Sequence, residues 1–212
     1  MTRLRIAQLL AVVAALAVLG TAALAVLRWP GDDDAEAGTG AGPGAARDPA
    51  VLVVRDPGTG ATFEVPGGDW RVRDRAVRIY YEDDAGHPVA VVRGPAVFRP
   101  GYCAARPDAS NRGFAGFTRQ PLRSWLAGLA PEGGAWTAGV DHERTRLADG
   151  NPARLSRTSV FLGDRGPCGA QAVEVAMAEA GDVRLVVVSD RGEPGTLARE
   201  EVDAVLASLR TG

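Results

Sequence analysis

Cys103, Cys168, His87 and His142 are the only cysteines and histidines in the 212-residue chain, and they set the chemistry open to it. Two thiols can supply a nucleophile, share a metal or close a disulfide. A nucleophilic thiolate needs a neighbouring base or cation to lower its pKa, and neither Gly-Tyr-Cys103-Ala nor Gly-Pro-Cys168-Gly offers one. Zinc would require two carboxylates beyond this small set. An even pair in an exported domain is instead expected to be a disulfide.

The remaining clusters carry less. Asp141-His142-Glu143 has the residue types for acid-base work, but neighbours on a strand point to opposite faces. His142 also has no serine or cysteine partner identifiable in the sequence, so the segment reads as exposed strand. His87, before Pro88, reads as a surface turn residue. Glu82-Asp83-Asp84 is followed by Ala85-Gly86-His87-Pro88, which lacks the alternating oxygen ligands of a calcium loop. It reads as a solvated hairpin tip. Arg112-Gly113-Phe114-Ala115-Gly116-Phe117 has neither the spacing nor the lysine of a phosphate-binding loop. Two roles are open to it: a ligand-facing loop with Arg112 meeting an anion beside Phe114 and Phe117, or glycine turns with phenylalanine anchors. The structural role is preferred. No Gly-x-Ser-x-Gly elbow or dinucleotide fingerprint occurs. No catalytic, cofactor-binding or metal-ligating residues are therefore expected, and no cofactor.

The elements that would position these residues begin with an apolar run. Residues 6–27 carry no charge, and as a helix they would span about 33 Å, the thickness of a bilayer core. Arg3 and Arg5 precede the run; Arg28, Trp29 and four acids within residues 32–36 follow it. That asymmetry places residues 1–5 in the cytoplasm and the C-terminal bulk outside, in a single-pass membrane protein. Cleavage as a signal peptide, with secretion, is the alternative, since Ala23-Leu24-Ala25 and Ala35-Glu36-Ala37 have small-x-small form. The run exceeds the usual signal core, which favours an anchor. Residues 28–50 begin acidic and continue rich in Gly, Ala and Pro, a linker that cannot bury enough to order itself.

Residues 51–212 read as one α+β domain with a mainly antiparallel sheet and two packed helices. Strands are predicted at 62–65, 70–73, 77–81, 89–98, 139–147, 153–162, 171–178 and 183–189. Trp70, Ile79 and Val91 are core candidates, and Pro95 suggests an edge or bulge. The continuous run Leu185-Val186-Val187-Val188 suits a central strand covered on both sides. One helix is predicted over 121–129, with Leu122, Trp125, Leu126 and Leu129 at helical spacing. A closing helix, capped by Thr196, would carry Ala198, Val202, Val205, Leu206 and Leu209 as one apolar stripe.

Composition limits the partners. All 24 basic residues are arginine, a bias read as high-GC codon usage, and they oppose 26 acids for a net charge of −2. With charge mixed along the chain and no basic stripe, nucleic acid is excluded as the main partner.

The ordered segments Phe63-Glu64-Val65-Pro66-Gly67-Gly68-Asp69-Trp70-Arg71-Val72, Pro100-Gly101-Tyr102-Cys103, Arg112-Gly113-Phe114-Ala115-Gly116 and Val187-Val188-Ser189-Asp190-Arg191-Gly192, with the ending Leu206-Ala207-Ser208-Leu209-Arg210, together resemble the actinobacterial domain of unknown function 8017 family of membrane-anchored exported proteins. That likeness implies an anchor, a linker and an ectodomain, and brings no activity. The ending is more loosely similar to the Mog1/PsbP-like α/β/α sandwich, which implies a fold and warrants no function. The leading expectation is a non-enzymatic cell-envelope module anchored through residues 6–27 that binds an envelope protein or ligand. Two others stand beside it: a carrier of a lipid or other apolar ligand, and an envelope hydrolase or transferase with dispersed carboxylates.

Overall fold

A computed structural model describes residues 50–82, 85–108, 110–129, 136–163, 168–191 and 194–212. The apolar run 6–27, its flank 1–5, linker residues 28–49 and the acids Asp83 and Asp84 lie outside them. Among the described residues no helix is long and apolar enough to cross a membrane. Residues 46–212 form one compact unit.

Its centre is a tight hairpin of two nine-residue strands, β11 (Ala172–Ala180) and β12 (Val183–Arg191). Gly181, at φ 57°, supplies the left-handed turn between them. Around this pair an eight-stranded sheet is built from β3 (Trp70–Val72), β6 (Ala96–Phe98), β7 (Gly113–Phe117), β12, β11 and β10 (Pro152–Phe161), in that order. Both β8 (Trp136–Thr137) and β9 (Asp141–Arg146) pair with the outer edge of β10, and every pairing in the sheet is antiparallel. Two hairpins stand apart as two-stranded sheets: β1 (Val51–Arg55) with β2 (Thr62–Pro66), and β4 (Arg78–Glu82) with β5 (Pro88–Arg93).

The apolar run of β12 explains the layering. Leu185 and Val187 face one core, shared with Val202, Val205, Leu206 and Leu209 of helix α2 (Arg199–Ala207) and with Phe63 and Val65 of β2. Val186 and Val188 face the other, shared with Leu122, Trp125 and Leu129 of helix α1 (Leu122–Leu129) and with Ala90 and Val92 of β5. Each sheet face thus carries one helix and one hairpin, so the central strand has no solvent side to alternate toward.

Several sequence expectations need correcting. Gly113–Phe117 is an internal strand, not a turn-rich loop. A Cβ on Gly113 would lie 2.7 Å from the Val188 carbonyl oxygen, and one on Gly116 would lie 2.2 Å from Cγ1 of buried Val92. These glycines exist for close approach of the layers, a use of strand glycine that the sequence does not separate from a turn. Residues 89–98 form two strands in different sheets, broken at Gly94 (φ 57°) and Pro95. In β5 the inward face is Ala90 and Val92, whereas Val91 is half-buried on the outer face. Val51–Arg55 is a further strand, ahead of the first one expected at 62–65. On α2 the inward position before Val202 is taken by Leu197, with Ala198 exposed. The helix start is held by Glu201, whose carboxylate accepts the Ala198 N–H at 2.8 Å, in place of a Thr196 cap.

The chain end is tied down electrostatically. Arg210 and Thr62 exchange backbone hydrogen bonds at 2.9 Å, and Asp149 accepts from the Thr211 N–H (2.7 Å), the Thr211 hydroxyl (2.9 Å) and the Asn151 N–H (3.1 Å). The backbone bonds from Thr211 and Asn151 are the main reason its pKa falls from the usual 3.8 to about 2. A carboxyl depressed on folding stabilises above its unfolded pKa and loses that contribution as pH falls through the folded one. Hydrogen-exchange protection of the Thr211 amide is therefore expected to hold down to about pH 4 and to vanish toward pH 2. In Asp149→Ala it should already be absent at neutral pH; equal protection in both proteins would refute the clamp.

Candidate functional site

The long connection from β6 to β7 folds back over the end of the α1 face, and Cys103 pins it there through a disulfide to Cys168, with Cα atoms 5.7 Å apart. The Cys103 N–H donates to the Ser110 hydroxyl at 3.1 Å, and the Gly101 N–H to the Ser110 carbonyl at 2.8 Å. The Tyr102 hydroxyl donates to the Cys168 carbonyl. This strap walls a cleft of about 350 Å³. Its floor is apolar, made by Tyr81, Phe114, Leu129, Leu162, Val173 and Val188, and its rim carries Tyr102, Arg106, Ser110, Asn111 and Asp190. Tyr81, Phe114 and Trp125 stack at 5.8–6.5 Å beneath it, which fixes the floor. The cleft is a half-open concavity whose lining is about equally polar and apolar, so apolar side chains and hydrogen-bonding groups meet in one place.

The structure disperses the candidate loop of the sequence. Phe114 lies in the cleft floor. Phe117 lies on the other sheet face, 5.2 Å edge-on to Phe63. Arg112 stands beside the cleft with its guanidinium 4.0 Å from the centre of the Tyr102 ring and 3.4 Å from Asp190. In that position its charge is matched, and it positions both rim residues. Nothing in the spacing of Tyr102, Asn111 and Asp190 marks them as neighbours; they come from a loop and a strand end nearly ninety positions apart.

His142 does meet a serine. Its Nδ1 lies 2.9 Å from Oγ of Ser156, its cross-strand partner. Ser156 is 2% exposed, and neither side chain lines the cleft. His142 itself is exposed. The expectation that it lacks such a partner is corrected, because cross-strand register is set by the fold and not by nearness in sequence. Among the described residues no three His, Cys, Asp or Glu side chains cluster as metal ligands.

Arginine ion pairs tie the opposite face. Glu174, with its side chain only 8% exposed, lies between Arg157, 3.3 Å away, and Arg191, which hydrogen-bonds its other oxygen. Arg157 also pairs with Asp203 of α2, and Arg191 donates to the Leu197 carbonyl at 3.1 Å. At the far end of β11, burial pushes the Glu179 carboxyl up, but hydrogen bonds from Arg154 and Arg184 outweigh it and hold it below the usual value.

These features define a disulfide-tied α+β domain with a mainly antiparallel sheet and a ligand-sized cleft at one end. The family model for the domain of unknown function DUF8017 matches residues 44–212, and the chain belongs to that family. No curated protein matches it.

Proposed function

We propose that this protein is a non-enzymatic, single-pass envelope module whose outer domain holds a small amphipathic ligand in the cleft beside the disulfide. The single observation that carries the reading is the cleft itself, with its aromatic and aliphatic floor and a rim able to meet a polar head group. A volume of about 350 Å³ suits a compact ligand or one short acyl segment, at the small end of known pockets. The apolar run 6–27 and its flanking charges support anchoring with this domain outside. The layering, with a helix on each sheet face, is compatible with the Mog1/PsbP-like sandwich.

Native mass spectrometry of residues 46–212, exported so that the disulfide forms, tests the reading. A reproducible mass excess is expected that disappears on denaturation. It should be lost in Asn111→Trp, which fills the rim. A bare domain after export, with no ligand captured from an envelope lipid extract, would sink the ligand-holding role. Turnover of an envelope substrate by the purified domain would overturn the non-enzymatic one.

A further inference from the structure

Away from the disulfide, the β1–β2 loop, the β4–β5 hairpin, the segment after β7 and the β11–β12 turn enclose a second cleft of about 550 Å³. We propose that it is a binding site for a chain bearing repeated phosphate groups, an additional role beyond the small-ligand reading above. Six arginines line it: Arg55, Arg75, Arg78, Arg93, Arg119 and Arg184. Two acids accompany them, leaving four net positive charges in one concavity of a chain whose own net charge is −2. One of those acids, Asp56, is already engaged by the Thr59 amide (3.1 Å) and hydroxyl (2.8 Å). Because every basic residue in the chain is arginine, it is their convergence, rather than their type, that singles out the cleft.

Their lack of partners is the second observation. Elsewhere Arg99, Arg112, Arg154, Arg157, Arg191 and Arg210 each stand beside a carboxylate, whereas Arg71, Arg106, Arg123, Arg144, Arg146 and Arg199 do not among the described residues. What sets the cleft apart is that its unpaired guanidinium groups share one concavity. There only Arg184 has a carboxylate beside it, Glu179 at 3.0 Å. The guanidinium groups of Arg55, Arg75, Arg78, Arg93 and Arg119 have no ion pair or hydrogen bond among the described residues. Moreover, Arg78 and Arg93 are directly opposed across β4 and β5. Like charges at that register destabilise a sheet. The other opposed arginine pair among the described strands, Arg144 with Arg154, has Glu179 bonded to one member. Arg75 is held next to the unrelieved pair, because its Cα packs against Gly94, 3.3 Å from where a Cβ would sit. Folding thus assembles a repulsive cluster that a bound anion would relieve.

Shape and chemistry narrow the ligand. The charge lines a concavity, so a strand-like anion can run among the guanidinium groups, whereas a membrane plane would touch only the rim. Four charges over 550 Å³ suit several anionic groups in series rather than one. Guanidinium forks bind phosphate oxygens in pairs, and Val91, Phe117 and Val183 in the lining offer apolar surface to the linking carbons or sugars.

Titration calorimetry of residues 46–212 with inorganic polyphosphate tests this. Saturable binding is expected, weakening about 50-fold between 50 and 200 mM salt if four charges are neutralised at roughly the single-strand slope. Arg78→Thr with Arg93→Thr should weaken binding by about tenfold or more and halve the salt slope. The same variant, without ligand, should melt higher than the wild type, since an opposed like-charge pair is gone. Arg119→Gln, at an exposed position, gives an independent and smaller loss of affinity. Arg144→Thr, outside the cleft, should bind as the wild type does. Absence of binding at 50 mM salt, or unchanged affinity in the paired variant, overturns the proposal. So does tighter binding to phosphatidylglycerol vesicles than to polyphosphate, abolished by the same variant, which would make the cleft a membrane-facing surface.

Discussion

Glu174→Ala is expected to destabilise the domain by about 3–5 kcal/mol, the range found when one partner of a buried ion pair is removed. Glu174 is nearly buried on β11, and Arg157 and Arg191 converge on it from the two neighbouring strands. Removing the carboxylate leaves two guanidinium groups facing each other with side chains only 14% and 25% exposed. Arg157 retains Asp203, half-exposed on α2, while Arg191 keeps only the Leu197 carbonyl and has no carboxylate. At an m-value of about 2 kcal/mol/M, the urea midpoint should fall by about 2 M. Glu174→Gln, which keeps an acceptor for Arg191, should lose less, about 1.5–3 kcal/mol. Adding Arg191→Met to Glu174→Ala should recover part of the loss, because a buried charge without a partner is worse than an apolar replacement. A midpoint within experimental error of wild type for Glu174→Ala would show that water already reaches these charges.

Removing the disulfide should have an effect of similar size but through the unfolded state. The cysteines are 65 positions apart, and closing a loop of that length is worth about 4 kcal/mol in the chain-entropy description. For a domain of this length, that corresponds to a melting point lower by about 8–16 °C in Cys103→Ser with Cys168→Ser. The same change releases the strap from the cleft, so ligand capture should fall more steeply than stability alone predicts. Comparing capture well below the melting point of the variant separates the two effects. A variant that melts within 2 °C of wild type (about 1 kcal/mol or less) would mean that the connections on either side of the bridge are already fixed without it.

The candidate sites were only partly legible before the fold was known. The cysteines could be paired from their number alone, since two residues allow one intramolecular bridge. Phe114 could be marked as an anchor but not assigned to a cleft floor, because strand register decides which face it joins. His142 and Ser156 are fourteen positions apart, and only the antiparallel pairing of β9 with β10 sets one against the other. The arginine cleft is the sharpest case. Its six members are spread between positions 55 and 184, so no single window of sequence contains the cluster.

What the sequence determined by itself are the properties that depend on local periodicity and composition. These are the α+β class, the two helices with their apolar stripes, the doubly covered β12, the family likeness and the cysteine pair. Each follows from residues within a turn, a strand or a count. What the tertiary structure decided depends on juxtaposition: the division of residues 89–98 between two sheets, glycines serving as contact points in β7, the buried Glu174 between two arginines, and both clefts. The physical reason is common to all of these. Hydrophobic burial selects which faces meet and is readable as a pattern, whereas charge pairing, close packing and cavities arise only once distant segments share a few ångströms of space.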